Sequence, residues 1–413
     1  MSLTSRSSAT WDAQATGADR PGATVSGVPS PRPTDPVLVA ALRSAIGTAG
    51  HALADVPVAD LAAPVLAALA DRTAALGLGV DEVMLGNCLG PGGNPARSAS
   101  LAAGLGLGIP AVTVDRQCGS GLEAVRLAAA AVTAGQATLV LAGGAESAST
   151  APWRCWPPNR PDDEPTRYTR APFAPPGFPD PEMGDAADDL AAQRAIDRTR
   201  QDAYAARSHQ RALAAATAGR FTGEIVPVRG VDTDERPRRI TTERLARLRP
   251  AFRLDGSVTA GNSSGISDGA AALAVTTAAA ARAAGLPALA IRSSAVVAGD
   301  PAQPGAMAGP AAREALRRAG IDPTDVGAIE VTEAFAAVAL AFADELGLDE
   351  RALCPDGGAI ALGHPWGASG AVLLVRLFAG MLSGAPGEDG PEFGLAACAI
   401  GGGQGIAMVV QRT

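Results

Sequence analysis

Seven residues carry the first chemical signal in this chain: Asp115, Arg116, Gln117, Cys118, Gly119, Ser120 and Gly121. A β-branched run, PAVTVD at 110–115, precedes the cysteine and an Ala-rich helical run at 121–133 follows it. A thiol in the first turn of a helix meets free N–H groups and the positive end of the macrodipole, which favour thiolate. Gly119 and Gly121 permit a tight turn and close approach of a substrate carbonyl. This strand–turn–helix placement resembles a nucleophile elbow. The same residues would equally suit a buried structural cysteine beside a Gly-rich turn. Histidine occurs only three times, at 51, 209 and 364. His51 falls in a surface loop by its neighbours, and His209 in a charged helix where a solvated or locally bonded ring is expected. His364 lies in GGAIALGHPWGASG, between Gly and Pro residues. With Cys118 it makes the Cys/His pair that acyl transfer needs, a base to form thiolate and an acid for the departing thiol.

These side chains must be held by an alternating α/β scaffold. Strands are expected at Val37–Leu42, Glu82–Gly86, Pro110–Asp115 and Ala137–Ala142, and helices at Val58–Leu76 and Gly121–Thr133. Pro64 fits only near that first helix's start or at a kink. Such alternation implies parallel sheet with helical crossovers. Residues 152–253 break the pattern with a Pro-rich, aromatic segment, one or two helices over Asp185–Ala216, and an Arg-rich stretch. Beyond it, Asn262–Gly265 is a turn, an Ala-rich helix is expected from Asp268, and a second αβ unit runs from Ala288. The Cys118 and His364 segments each lead through an apolar helix to a strand with glycines, a weak internal repeat that suggests duplication.

Composition narrows the function. Of 413 residues, 47% are hydrophobic and only 3% aromatic, so a large core must pack small aliphatic groups closely. The net charge of −8 argues against nucleic acid as a partner. All 34 basic residues counted are Arg, which excludes lysine Schiff-base chemistry. Five cysteines without paired spacing suggest neither a disulfide framework nor a zinc site. No apolar run reaches the length of a membrane span. Residues 1–35 lack an apolar signal core and carry Asp12, Asp19 and Asp35, so a disordered tail on a cytoplasmic protein is expected.

The segments GGNPAR, CGSGLEAV, GGAES, MGDAADDL, DERPRR…LRPAF, VTAGNSSGISDGAA, EAFAA, GGAIALGHPWGASG and IGGGQGIA, in this order, resemble the thiolase family from about Pro36 to the C-terminus. The resemblance implies a duplicated, five-layered α/β/α/β/α fold with an inserted coenzyme A-binding loop domain. Its expected parts are residues 36–151 plus 254–284, the insertion 152–253, and 285–413. It implies ping-pong acyl transfer that makes or breaks a β-ketoacyl C–C bond. Coenzyme A thioesters would be substrates, no cofactor would be permanently bound, and the assembly would be a homodimer or homotetramer. Carried over residue by residue, Cys118 is the acylated nucleophile and His364 the histidine that activates it. Ser264 falls near the pantetheine arm and Arg238 near the nucleotide end of coenzyme A. The N–H groups of Cys118 and Gly401 form an oxyanion hole.

Three departures qualify the resemblance. The family's Asn-Glu-Ala-Phe reads Thr332-Glu333-Ala334-Phe335, so a hydroxyl stands where an amide would hold a water. The family's Cys-x-Gly-Gly-Gly reads Cys398-Ala399-Ile400-Gly401-Gly402-Gly403, which puts Ala399 at the position of the second catalytic cysteine. A one-residue offset in a strand turns a side chain to the opposite face unless a bulge intervenes, so Cys398 is either a base restored by a bulge or a buried structural thiol. Trp153 follows the Ala-Pro pair and would reshape the acyl or pantetheine channel, or pack within the insertion. Acyl transfer to oxygen, nitrogen or water, condensation of a decarboxylating substrate, and a non-catalytic scaffold all stay open at this stage. So does a hydrolase reading of Gly261-Asn262-Ser263-Ser264-Gly265, formally G-x-S-x-G.

Overall fold

The computed structural model describes residues 29–160, 162–382 and 390–413, so the expected tail lies outside the described residues up to residue 28. Five strands build the first half: β1 (Pro36–Ser44), β2 (Glu82–Gly86), β3 (Ala111–Val114), β4 (Leu139–Ser147) and β5 (Ser267–Thr277). Their order is β3-β2-β4-β5-β1, with β5 antiparallel to both neighbours. The second half has β6 (Leu289–Ala298), β7 (Val326–Val331), β8 (Phe393–Ile400) and β9 (Gln404–Arg412) in the order β7-β8-β9-β6. Here β9 is antiparallel to both neighbours. A parallel bridge from Ile329 to Leu353 lies beyond β7, where β3 lies in the first half. The duplication suspected from two short motifs is therefore a repeat of strand order. The halves join where Val37 and Leu38 pair with Ala290 and Leu289.

Helices complete five layers. α1 (Val58–Arg72) and α2 (Pro95–Ala102) cover the outer face of the first half, and α3 (Ser120–Thr133) its inner face. α4 (Met183–Gln193) and α5 (Arg198–Thr217) belong to the inserted segment. α6 (Ala308–Ala319) covers the outer face of the second half with α7 (Ala336–Leu346) against it. α8 (Trp366–Leu382) lies beside α3 between the two halves. The α1 helix runs through Pro64 and stops at Arg72, short of the expected Leu76; Ala74–Leu76 form a 3-10 turn.

Small residues explain the tight central layer. A Cβ on Gly121 would lie 2.8 Å from the Ala371 nitrogen, and one on Gly144 only 1.9 Å from the Gly367 carbonyl oxygen. Backbones of α3, β4 and α8 thus meet directly, as the Ala- and Gly-rich composition requires. The helix expected from Asp268 is instead strand β5. Alanine's helix propensity loses because β5 is hydrogen-bonded on both edges, to β1 and β4, and α8 packs on it. The inserted segment holds a short hairpin, Arg154–Trp156 with Thr166–Tyr168, besides α4 and α5. A buried ion network ties it to the core: Glu224 bonds both Arg43 of β1 and Arg376 of α8.

Candidate active site

Cys118 stands one residue before the N-cap of α3, which is Gly119. The turn before it is strained, since Gln117 adopts a φ of 47°, rare for a non-glycine residue. Ser120 locks that turn by donating to the Gln117 carbonyl at 2.6 Å and accepting the Arg116 N–H at 2.8 Å. Gly119 sits close against the second half, where a Cβ would lie 2.5 Å from Ile400 Cδ1 and displace that side chain. The expectation that the helix N-terminus favours thiolate is not met in the free protein. Burial, and then the neighbouring Cys398, hold the Cys118 thiol well above its ordinary range. A thiol held this way needs a base to form thiolate.

His364 lies two residues before the first residue of α8, with Pro365 between, and is buried. Its Nδ1 is 2.6 Å from Ser369 Oγ, one turn along the helix, while Nε2 is buried with no partner among the described residues. Burial lowers its pKa to about 4, so the ring is neutral at pH 7 and able to accept a proton. The tautomer with Nδ1–H donating to Ser369 leaves the Nε2 lone pair free. Main-chain contacts anchor the ring: His364 N–H donates to the Gly265 carbonyl, and His364 pairs with Ile266. Glu146 fixes the helix start, accepting the N–H of Gly367 at 3.0 Å together with those of Cys88 and Leu89. Sequence reasoning noticed GGAES as a motif but gave Glu146 no task.

Contacts run from Cys118 to His364 through the candidate loops. Cys398 Sγ donates to the Cys118 carbonyl at 3.3 Å and to the Ala399 carbonyl at 3.2 Å. The Thr332 hydroxyl lies by the same thiol, and Thr332 N–H donates to the Ala397 carbonyl. Two residues on, the Ala334 carbonyl accepts the Ser264 N–H at 2.9 Å and Phe335 pairs with Ser263. Ile266 then pairs with His364. No bulge interrupts β8 against β9: Cys398 pairs with Ile406 and Ala399 with Gly405 in regular register. Cys398 therefore shares a face with Ala396 and Ile400 in the central core, fully buried, while Ala399 is half-buried. Burial pushes the Cys398 thiol up to about 12. Thr332 Oγ1 is buried with only that thiol beside it.

Gly401 opens the turn between β8 and β9, with Gly402 and Gly403 at φ 78° and 75°. The Phe173 ring of the inserted segment covers it; a Cβ on Gly401 would lie 2.6 Å from that ring. Ser264 is half-buried beside Phe335. Arg238 is exposed, and neither it nor Arg236 has a carboxylate partner among the described residues. Trp153 is 77% exposed, with the Arg167 guanidinium of the same inserted segment 3.8 Å from its ring centroid. His209 corrects the expectation of a solvated or locally bonded ring. It is fully buried with both nitrogens unpartnered, and burial with Arg238 and Arg236 nearby lowers its pKa to about 3. The helix charge pattern had hidden an inward-facing position. The hydrolase reading fails on geometry, since Ser263 Oγ donates to the Thr259 carbonyl at 2.7 Å and His364 pairs with Ser369 instead.

A buried neutral histidine and a thiol at adjoining helix starts, in a duplicated five-layer fold, define an acyl-transferring enzyme. Comparison with known sequences agrees. The thiolase N-terminal domain matches residues 36–279 and the thiolase C-terminal domain residues 286–412. An acetyl-CoA acetyltransferase of Pseudomonas aeruginosa is 45% identical over 399 residues, 92% of this chain and 99% of the relative. A probable acetyl-CoA acetyltransferase of Escherichia coli is 44% identical over 394 residues, 92% of this chain and 99% of the relative. The crystal structure of the Bacillus anthracis acetyl-CoA acetyltransferase superposes with a TM-score of 0.84 at 37% identity, covering 92% of this chain and 99% of that one. The chain belongs to the thiolase family. It is an acyltransferase of thiolase type, whose reaction forms a C–C bond. Among the described residues, no helix is long and apolar enough to cross a membrane.

Proposed function

We propose that the protein is an acetyl-CoA C-acyltransferase in which Cys118 carries the acyl group. His364 Nε2 takes the Cys118 proton as sulfur attacks the thioester carbonyl; the C–S bond to coenzyme A breaks, and the proton passes to the departing thiol. His364, neutral again, then takes the α-proton of a second acyl-CoA; the resulting carbanion attacks the acyl-Cys118 carbonyl, the C–C bond forms as the C–S bond to Cys118 breaks, and the proton on His364 returns to the freed thiolate. The reverse direction is thiolysis. The N–H groups of Cys118 and Gly401 would hold the developing oxyanion. Residues 152–253 would hold coenzyme A, with unpaired Arg236 and Arg238 suited to its phosphates and Ser264 to the pantetheine arm. The substrate is coenzyme A-bound, no resident cofactor is required, and the enzyme is a cytoplasmic homodimer or homotetramer.

The observation that carries this reading is the pairing of a strained Cys118 turn at α3 with the unpartnered His364 Nε2 at the start of α8. Intact-mass measurement after exposure to acetyl-CoA tests it. One acetyl group should appear on Cys118 and be absent in Cys118→Ala. A wild-type protein that gains no mass would overturn the proposal.

A further inference from the structure

Behind His364 lies a cavity of about 20 Å³ lined by Glu330, Thr332, Ser369 and Arg376, among others. That is room for about one water. Its polar wall is unusual for a protein core. Glu330, Thr332 and Arg376 are each more than nine-tenths buried. Arg376 Nε has no hydrogen-bond partner among the described residues, and the Thr332 hydroxyl has only the Cys398 thiol beside it. Arg376 spends its other nitrogens on Glu224 and Asp356. Ser369, the fourth wall, is the residue whose Oγ is 2.6 Å from His364 Nδ1. An orphaned N–H, a buried carboxyl and the hydroxyls of Thr332 and Ser369 around one water-sized space satisfy what an internal water requires, two to four polar partners.

We propose that this cavity holds an ordered water linking Glu330 to Ser369, and that Glu330 is thereby a positioning residue for His364. The inference rests on the assignment of His364 as the base. The direction of the chain matters. For Nε2 to accept the Cys118 proton, Nδ1 must hold a hydrogen and donate it to Ser369 Oγ. Ser369 must then donate to the water, and the water to an acceptor. A Glu330 carboxylate can only accept, so it fixes that direction. A protonated carboxyl can also donate and permits the opposite one, with the proton on Nε2. Burial pushes Glu330 up to about 8 against the pull of Arg376. The other groups facing it are Asp356 and Cys354 from the loop between α7 and α8, and Glu333 just beyond β7. Glu330 is thus expected to change charge within the working pH range.

The test follows the pH dependence of Cys118 alkylation by iodoacetamide, read by peptide mass so that the other cysteines do not contribute. Wild type should show a rise through about pH 8. Glu330→Gln, which keeps the shape but cannot ionise, should lose that rise and react roughly tenfold more slowly, a fraction of the 10²–10⁴ that a positioned base supplies. Ser369→Ala should cut the link itself, so that Glu330→Gln adds nothing in its background. Additive effects, with a His364→Asn variant still strongly impaired, would overturn the inference alone. A His364→Asn variant that reacts like wild type would overturn the base assignment and this inference with it. A high-resolution crystal structure of the wild-type protein decides the matter independently of how the variants fold: density for a water in the cavity supports the proposal, and an empty cavity overturns it.

Discussion

Cys398 Sγ lies 3.3 Å from the main-chain carbonyl oxygen of Cys118 and donates its hydrogen to it. The thiol has a second acceptor in the Ala399 carbonyl, and burial holds its pKa near 12. A thiol so placed supports the Cys118 backbone and is a poor proton acceptor at neutral pH. Cys398→Ala is therefore expected to form the Cys118 acyl-enzyme at the wild-type rate. Thiolysis of acetoacetyl-CoA should fall by less than the ~10² that losing a positioned base costs. Stability should drop by about 1–2 kcal/mol for the lost packing and weak hydrogen bonds. Steady-state thiolysis beside intact-mass acylation checks this. Loss of thiolysis beyond 10², with acylation intact, would return the base role to Cys398.

Two buried neutral histidines set the acid side of the pH profile. His364 titrates near 4 and His209 near 3, both because burial disfavours the charged ring. An unfolded chain binds those protons at about 6.5. As pH falls below that value, the unfolded state takes up protons that the native state refuses, so stability falls with falling pH. The loss is about 1.4 kcal/mol per pH unit per group, continuing until each folded pKa is reached. Acylation, by contrast, below the step through about pH 8 inferred for Glu330, should persist at its lower rate to about pH 4, where His364 itself protonates. Denaturation from pH 8 to 4 should show the slope, and His209→Leu should make it shallower. An unchanged slope in that variant would place the acid lability elsewhere.

Glu224 is the hinge of a buried ion network. It accepts from Arg43 Nε at 2.7 Å and from Arg376, while Arg43 also forks onto Asp234. Arg43 lies in β1, Arg376 in α8, and Glu224 in the segment between α5 and β5. Glu224→Ala leaves two guanidiniums buried with one carboxylate partner each. A loss of about 3–5 kcal/mol in chemical denaturation is expected, as for other buried pairs stripped of one member. A change under 1 kcal/mol would mean that water already screens the network.

How much of this was legible in the sequence differs by residue type. Cys118 and His364 could be found because Gly119 and Gly121 follow the one and Gly363 and Gly367 flank the other, and glycine at a strand–helix junction marks a close approach that few other residues permit. Strand β5 could not be found, because SDGAAALAVTT has helical propensity and only its two neighbouring strands decide its state. The one-residue shift at Cys398 was visible, but its consequence needed the β8–β9 register. Glu146 and Glu330 were invisible for a shared reason: a single carboxylate in an apolar run carries no spacing signal, and its meaning comes from partners far along the chain. For Glu146 these are Cys88 and Gly367; for Glu330 they include Ser369 across a cavity.

The contact between β4 and the start of α8 links packing to chemistry most directly. A Cβ on Gly144 would lie 1.9 Å from the Gly367 carbonyl and 3.0 Å from Ala368 Cα, both backbone atoms that cannot rotate away. Gly144→Ala must push the first turn of α8 outward, with Ser369 and the adjoining His364. Overpacking of this kind costs about 1–3 kcal/mol. The kinetic cost should be larger in proportion, since a displacement of about 1 Å at a catalytic group is worth up to 10² in rate. Gly79→Ala, where an added Cβ meets nothing within 4 Å, serves as the control and should leave both quantities unchanged. Thermal denaturation and acylation rates measured on the two variants give the comparison. If Gly144→Ala lowers stability but acylates Cys118 at the wild-type rate, then His364 is held by its own loop contacts to Gly265 and Ile266 rather than by the seating of α8.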